Sequence, residues 1–285
     1  MKSVRICVAA ITAGVVCIAV MLGILSAAIY AENESGGSFI GLMYHQVLKD
    51  ESRAGKYIIT PDELESDLAY LSENGYVSVL PSQLVKIREQ GGRLPEKTVV
   101  ITFDDGYETG LYYVLPLLKK YGMKAVINVV GSYTDEYSRI NEEGKHLSYA
   151  YLTWNEIKKL SDSGYVEIGN HTYDMHSYNG DRNGCARKEN ESDEQYRTVL
   201  YEDVARLSDK LQQVTGKRPV AFAYPFGSLS EGSAEIIGSA GISVFMTCCE
   251  QPCSMNRNGR IVINRYNRES GRTARQICEE FNNAF

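Results

Sequence analysis

The chain has 285 residues, of which 44% are hydrophobic, and its formal net charge at pH 7 is -6. This length and hydrophobic content suffice for one large core, and no change of composition argues for two domains. The acidic balance leaves no broad basic surface for a phosphate backbone, so we do not expect nucleic acid as a partner.

The N-terminal segment, residues 1–31, is predicted to direct the chain to a membrane. Lys2 and Arg5 precede an uncharged stretch from Ile6 to Tyr30. This stretch exceeds the roughly 7 to 15 apolar residues of a signal-peptide core and reaches the about 20 residues of a bilayer-spanning helix. The positive charges before it favour an extracytoplasmic position for everything after it. A cleaved signal stays an alternative, because residues 26–28 (Ser-Ala-Ala) resemble a cleavage site.

The seven cysteines offer no metal-binding pattern. Two lie in the N-terminal segment, and the odd number in the rest of the chain leaves at least one unpaired within a monomer. A zinc knuckle is not expected, because no C-x-x-C spacing occurs. The alternatives are small buried hydrophobic residues and one or two disulfides. The cysteines concerned are Cys185, Cys248, Cys249, Cys253 and Cys278.

After a polar spacer, residues 32–38, apolar runs alternate with amphipathic runs nearly to the C-terminus. This alternation predicts one domain over residues 39–285, with a parallel sheet covered by helices. Two capping boxes, Thr60 to Glu63 and Thr153 to Glu156, mark helix starts. About seven or eight strand–helix units favour a closed or nearly closed β/α barrel. The predicted strands cover residues 39–44, 77–80, 98–103, 125–130, 166–169, 220–224, 242–246 and 260–263.

Two adjacent carboxylates, Asp104 and Asp105, lie in the hexapeptide TFDDGY, which directly follows a buried apolar run. Neighbouring acids at a partly dry site repel each other and lose hydration unless a cation or a proton separates their roles. A second strand end, residues 169–176, carries His171 and His176, and imidazole is the commonest metal-binding side chain. We therefore predict that Asp105, His171 and His176 form an open three-ligand metal site.

The polar stretch 177–193 has no periodicity and predicts a loop over the mouth of this site. Trp154 lies beside a capping box, which favours helix packing over a sugar-binding platform. Tyrosine is the better candidate for sugar contacts, and Tyr107, Tyr173 and Tyr178 lie near the motifs.

The ordered motifs TFDDG, Asn-His-Thr and Tyr-Pro-Phe-Gly resemble those of the polysaccharide deacetylases with a NodB homology domain, which form carbohydrate esterase family four. The resemblance covers roughly residues 39–265, and the set of motifs is far more specific than any one of them. It implies a deformed (β/α)7 barrel. It also implies metal-dependent hydrolysis of the acetamide on N-acetylglucosamine-type polymers, usually with Zn²⁺.

The resemblance also implies roles for individual residues. Asp104 matches the family's catalytic base, whereas Asp105, His171 and His176 match its metal ligands. Three protein ligands leave coordination positions for water and the acetyl oxygen. In the motif Ala-Tyr-Pro-Phe-Gly, the main-chain N–H of Phe226 matches a group that stabilises the oxyanion.

Tyr224, in the same motif, and Tyr107 are further candidates for contact with the substrate or the oxyanion. Both lie directly at motifs that the resemblance assigns to the site.

Two departures from the family pattern concern the ligands and the base. Position 175 is methionine, so the second histidine ligand is His176, five residues after the first, which requires a loop rather than a helix. This spacing is similar to that of the poly-N-acetylglucosamine deacetylase branch. The alternative is a surface histidine, with Asp174 or water completing the coordination. Ala223 replaces an arginine that many members use to orient the base, so Asp104 is expected to lack that partner.

A third departure concerns the general acid, because the later motifs that supply a catalytic histidine are not recognisable near residues 245–250 and 263–268. His45, at the end of the first predicted strand, is the candidate for protonating the leaving amine. A structural histidine that holds the first loop is the alternative.

These features predict an exported, membrane-tethered N-deacetylase that acts on cell-surface or peptidoglycan-type amino sugars. Two alternatives stay open. One is an O-acetyl esterase on xylan-like glycans, which needs the same chemistry with an easier leaving group. The other is a catalytically silent glycan-binding module.

Overall fold

The computed structural model describes residues 35–140, 147, 149–178, 182–256 and 258–283. The predicted membrane segment, residues 1–31, and the first part of the spacer, residues 32–34, lie outside the described residues. Among the described residues, no helix is both long enough and apolar enough to cross a bilayer.

The described residues alternate between strands and helices along most of the chain. The strands are β1 (Ser35–Tyr44), β2 (Gln46–Val47), β3 (Ile58–Ile59), β4 (Val77–Ser78), β5 (Thr98–Phe103), β6 (Ala125–Val129), β7 (Val166–Asn170), β8 (Ala221–Ala223), β9 (Val244–Met246), β10 (Cys253–Asn256), β11 (Ile261–Ile263) and β12 (Arg265–Asn267). The helices are α1 (Pro61–Glu73), α2 (Pro81–Glu89), α3 (Leu115–Tyr121), α4 (Gly131–Tyr137), α5 (Trp154–Asp162), α6 (Asp193–Thr215), α7 (Ser233–Ser239) and α8 (Ala274–Asn283).

The main sheet curls into a nearly closed barrel. Parallel pairing runs from β1 through β5, β6, β7, β8 and β9 to β11. β12 follows β11 after the single residue Asn264 and pairs in parallel with β1, so the segment 261–267 joins the two ends of the sheet. The sequence-based prediction of an α/β barrel is therefore confirmed.

Alternation along the strands separates the barrel interior from the helix layer. In β5, Val99 and Ile101 pack in the cluster shared with the helices, whereas Val100 packs in a second cluster with Val126 of β6 and Ala223 of β8. All six residues of β5 are buried. The strand is therefore shielded from solvent on both faces, and Asp104 and Asp105 follow directly at its C-terminal end.

The helices begin where the capping residues predict. The hydroxyls of Thr60 and Thr153 each accept a hydrogen bond from the backbone N–H three residues later. The glutamate side chains at those later positions accept a hydrogen bond from the backbone N–H of the capping threonine. The indole Nε1 of Trp154 donates to Asp135 Oδ1 at 2.9 Å. Trp154 therefore contributes to helix packing, as the sequence favoured.

Four of the described strands lie outside the predicted set: the two-residue strands β2 and β3, and the longer strands β10 and β12. β10 pairs antiparallel with the start of β1, so residues 35–38 of the predicted spacer belong to a strand. β12 contains Arg265 and Asn267, and polar residues of this kind do not signal a strand, although every residue of β12 is buried. The five cysteines of the described region are free, so the disulfide alternative is not realised there.

Candidate active site

A cavity of about 710 Å³ opens at the carboxyl ends of the barrel strands. Parallel strands present their C-terminal loops at one edge, which brings together residues that are far apart in sequence. Seven of the eight residues predicted for the site line this cavity. They are His45, Asp104, Asp105, Tyr107, His171, His176 and Phe226.

A left-handed turn directly after β5 sends the two adjacent carboxylates in different directions. Asp105 has φ 70° and Gly106 has φ 72°. A Cβ at Gly106 would lie 3.0 Å from the Val129 side chain, so this turn requires glycine. The non-glycine φ of Asp105 is strained, and strain of this kind is common at functional sites. The two acids therefore enter separate hydrogen-bond environments.

Asp104 is held by a buried arginine and an amide. Its Oδ1 accepts from Arg265 Nη1 at 2.7 Å and from Asn128 Nδ2 at 2.8 Å. Burial by itself would raise the pKa of Asp104, but the Arg265 guanidinium outweighs burial and lowers this pKa to about 2. The carboxylate is therefore ionised at neutral pH.

This arginine corrects one expectation from the sequence. Ala223 does lack a guanidinium, but Asp104 does not lack an orienting partner, because Arg265 supplies it from β12. Arg265 is itself fixed, since its Nε donates to Thr247 O at 3.0 Å and its Nη1 to Thr102 Oγ1 at 3.1 Å. An arginine can thus reach Asp104 from another strand of the barrel.

Asp105 faces the two histidines. Its Oδ1 lies 3.1 Å from His176 Nε2 and 3.5 Å from His171 Nε2, and the three candidate ligand atoms all lie within 4.8 Å of one another. Although burial opposes it, hydrogen bonding to the two imidazoles holds the pKa of Asp105 well below its usual range. The group is therefore preformed as an ionised carboxylate beside two ring nitrogens.

The donor set fits a divalent cation. His171 Nδ1 lies 2.8 Å from the carbonyl oxygen of Ala223, which can only accept, so Nδ1 carries the proton. The opposite ring atom, Nε2, faces Asp105 and can bind a metal in its unprotonated form, and such a backbone contact at Nδ1 is typical of metal-binding histidines. Two imidazoles and one carboxylate form a ligand set of catalytic zinc sites.

The five-residue histidine spacing is accommodated by a loop after β7. Thr172 has φ 73°, and its N–H donates to Asn170 Oδ1 at 2.9 Å, which starts a turn. Met175 is buried in a core cluster with residues of α6 and β8. His176 consequently turns toward Asp105. The prediction that this segment cannot be helical agrees with the structure.

His45 follows β1 and lines the same cavity. Its ring contacts the Tyr57 ring edge-on, with the centroids 4.7 Å apart. Burial lowers the pKa of His45, and the charges of Asp105 and Asp104 oppose this shift. The imidazole is therefore placed within the field of both acids.

Phe226 and Tyr224 occupy different environments. Phe226 has φ 58°, and its ring lies 4.6 Å from the His176 ring and 5.4 Å from the Tyr178 ring. Tyr224 is buried, its hydroxyl is 3.4 Å from Ser233 Oγ, and its side chain does not line the cavity. Strand alternation explains this, because Phe222 and Tyr224 face the helix layer while Ala223 faces the interior. The Tyr224 side chain, a predicted contact of the substrate or the oxyanion, therefore lies away from the cavity that the other predicted site residues line.

Tyr107 forms part of an aromatic wall. Its ring stacks on Tyr151 with the centroids 4.9 Å apart, and Tyr151 in turn contacts Tyr133. Burial, with a contribution from the Asp105 charge, raises the pKa of Tyr107 well above its usual value. The hydroxyl therefore stays protonated and can donate a hydrogen bond.

Several residues that line the cavity or hold Asp104 were not predicted from the sequence. Arg265 and Asn128 hold Asp104, while Glu250 and Asn267 line the cavity. One signal was available for Arg265, because it is the single charged residue between Ile261 and Asn267, the stretch that contains the end of the last predicted strand. Asn128 lies inside a buried strand, where an amide requires a polar partner.

The fold and this site define a class, an α/β-barrel hydrolase fold with an Asp-His-His metal-type centre. The sequence profile of the family described as polysaccharide deacetylase matches residues 91–245, more than half of the chain. The chain belongs to the polysaccharide deacetylase family.

Individual proteins support the same assignment. A poly-β-1,6-N-acetyl-D-glucosamine N-deacetylase of Escherichia coli (strain K12) is 27% identical over 228 residues, which cover 73% of this chain and 34% of that protein. The chain thus spans about a third of the length of that relative. The protein of the same name from Staphylococcus aureus (strain MRSA252) is 23% identical over 241 residues, covering 80% of this chain and 77% of that protein.

A solved structure matches the barrel. The structure of a de-N-acetylase from Aggregatibacter actinomycetemcomitans superimposes with a TM-score of 0.72 at 25% identity, covering 85% of this chain and 99% of that chain.

Proposed function

We propose that this chain is a metal-dependent N-deacetylase that hydrolyses the acetamide of N-acetylglucosamine units in a polysaccharide. The observation that carries the proposal is the division of labour between two adjacent acids. Asp104 is bound to Arg265, whereas Asp105 faces His171 and His176. Hydrolysis of an unactivated amide needs both a base and an electrophile, and this division supplies a place for each.

Asp105, His171 and His176 would hold a divalent cation, with Zn²⁺ as the first candidate. When bound, the cation supplies polarisation of the acetyl carbonyl and a lower pKa for the attacking water. Asp104 would accept a proton from the attacking water, and its bonds to Arg265 and Asn128 hold the carboxylate ionised and fixed at the cavity.

Two further groups complete the proposed reaction. The main-chain N–H of Phe226 stabilises the negative charge that develops on the acetyl oxygen. His45 donates a proton to the leaving amine, because its imidazole lines the same cavity as both acids. Tyr107 donates a hydrogen bond from the aromatic wall to the substrate.

The shape of the cavity rim supports a polysaccharide as the substrate. Three half-exposed or exposed aromatic rings surround the opening, with Tyr57 50%, Tyr178 69% and Phe226 45% exposed. Flat aromatic faces with polar edges suit the stacking of sugar rings. The two relatives are named as N-deacetylases of poly-β-1,6-N-acetyl-D-glucosamine, a polymer built of the N-acetylglucosamine units proposed here as the substrate.

The proposal includes an extracytoplasmic, membrane-tethered location. It is supported by the uncharged stretch from Ile6 to Tyr30 behind two positive charges, in the part of the chain outside the described residues. A fusion of residues 1–38 to a reporter that is active only outside the cytoplasm tests it. Reporter activity in the membrane fraction supports an anchor, activity in the medium supports a cleaved signal, and inactivity contradicts export.

The test of the enzymatic proposal is acetate release by the full-length protein from β-1,6-linked N-acetylglucosamine oligomers. We expect release that stops after removal of metal with a chelator and returns on addition of Zn²⁺. Preferential release from acetylated xylan would favour the O-esterase alternative. Glycan binding without release from either substrate would favour a silent binding module and overturn the proposal.

A further inference from the structure

The backbone between the two histidine ligands is held by one side chain of a distant helix. We call the segment from His171 to His176 the histidine loop. Asp203, on α6, places one oxygen on each of two consecutive N–H groups at the centre of this loop. Its Oδ1 accepts from Tyr173 N at 2.7 Å, and its Oδ2 accepts from Asp174 N at 2.8 Å.

The opposite side of the histidine loop rests on the first turn of α4. Gly131 N donates to Thr172 O at 3.1 Å, and Ser132 N donates to Tyr173 O at 2.7 Å. A Cβ at Gly131 would lie 2.4 Å from Tyr173 Cδ2 in the ring and 3.1 Å from Tyr173 Cα, so glycine allows the two segments to pack closely. The carbonyls of Thr172 and Tyr173 are thus satisfied by α4, while the N–H groups of Tyr173 and Asp174 are satisfied by Asp203.

The centre of the loop determines where its two ends point. Between Asp174 and the second ligand, the chain buries Met175 in the core and turns His176 outward to Asp105. A shift at Tyr173 or Asp174 would therefore move the His176 imidazole relative to that of His171. Groups that orient metal ligands in this indirect way commonly tune metal affinity.

We propose that Asp203 is a positioning residue for the metal site, which it serves by fixing the backbone that separates His171 from His176. This inference rests on the proposed function, because it requires those histidines to bind one metal ion. Asp203 does not touch the cavity and takes no part in the reaction itself. It also explains how a five-residue spacing maintains a defined ligand geometry.

The test uses the full-length protein with Asp203→Asn and Asp203→Ala, and with Glu202→Gln as the matched control. Glu202 is the exposed neighbour on the same helix, so its substitution removes the same charge. Binding of Zn²⁺ and Co²⁺ is measured by competition with a chromophoric chelator, and the visible absorption of bound Co²⁺ reports the ligand geometry. Asp203→Asn keeps one acceptor and the side-chain volume, which preserves a folded variant if Asp203→Ala fails to fold.

We expect roughly 10- to 100-fold weaker metal binding and a changed Co²⁺ spectrum in the folded Asp203 variants, with Glu202→Gln like the wild type. A merely structural role would lower the unfolding temperature but leave the spectrum of the metal-loaded protein unchanged. If the wild type binds metal and releases acetate, and Asp203→Asn matches it in affinity and spectrum, this inference alone is overturned. If the wild type binds no metal, the metal site of the proposed function and this inference both fall.

Discussion

Arg265 and Asp104 form a buried ion pair at the base of the cavity, with Arg265 Nη1 2.7 Å from Asp104 Oδ1 and side-chain exposures of 0% and 3%. Charges removed from water interact strongly, and the loss of one partner leaves the other buried and uncompensated. The pair therefore determines both the charge state and the direction of the proposed base.

Replacing Arg265 with methionine is expected to impair both activity and stability. Without the guanidinium, burial raises the pKa of Asp104 from about 2, so the acidic limb of the pH profile of kcat/KM moves to higher pH. Leaving the carboxylate unpaired should cost about 3–5 kcal/mol of unfolding free energy. Urea unfolding and pH–rate profiles check this, with the exposed Arg275→Met as the control. An unchanged acidic limb would contradict the assigned role.

The sign of the pH effect follows from the lowered pKa. In the wild type, the ionised Asp104 contributes stability that is fully present above the unfolded pKa, near 4. This contribution is lost as the pH falls through the folded value of about 2. The Arg265→Met protein should lose this acid-dependent component, which urea unfolding at a series of pH values measures.

Asp104→Asn separates the proposed base from the proposed ligand. Because Asp105 holds the histidines and Asp104 does not, we expect metal affinity to change by less than about tenfold. The loss of a general base should lower kcat by roughly 100- to 10,000-fold. Acetate release and chelator competition on the same preparation measure the two effects. Activity that survives this substitution would remove Asp104 from the base role.

His176→Ala and Asp174→Ala decide which residue completes the ligand set. His176 Nε2 lies 3.1 Å from Asp105 Oδ1, and Asp174 has an exposed side chain. We expect His176→Ala to weaken Zn²⁺ binding by at least about 100-fold, since one of three protein ligands is lost. Asp174→Ala should bind like the wild type. The reverse order of affinities would identify Asp174 as the ligand.

His45→Gln tests the proposed general acid. An acid must be protonated to act, so its contribution falls as the pH rises through its pKa, and burial lowers the pKa of His45 below 6.5. We expect kcat/KM to fall roughly 100- to 10,000-fold and the alkaline limb to disappear. A small loss with an unchanged pH profile would indicate that His45 only holds the first loop through its contact with Tyr57.

The thiols offer an independent check of the fold. Cys185, Cys253 and Cys278 are buried, whereas Cys248 and Cys249 are exposed, and all five are free. Burial also raises the pKa of Cys253 to about 12, which suppresses its thiolate. Alkylation of the native protein followed by mass spectrometry should modify Cys248 and Cys249 only. Protection of that pair as a disulfide, or native labelling of the other three, would contradict the structure.

The barrel, most strand positions, both predicted capping boxes and the residues of the proposed metal site could all be predicted from the amino-acid sequence. These features depend on local periodicity and on side chains at strand ends, where parallel topology forces the C-terminal loops together. The placement of Asp105 with His171 and His176 therefore needed no knowledge of long-range packing.

The contacts that hold those residues in place depend on the tertiary structure. Arg265 reaches Asp104 across 161 positions of sequence, and Asp203 reaches Tyr173 across 30. No local sequence pattern marks such pairs. The first depends on which strand closes the barrel, and the second depends on which face of α6 packs against the histidine loop. The same reason accounts for Tyr224, whose side chain follows the alternation of β8 into the core rather than the cavity.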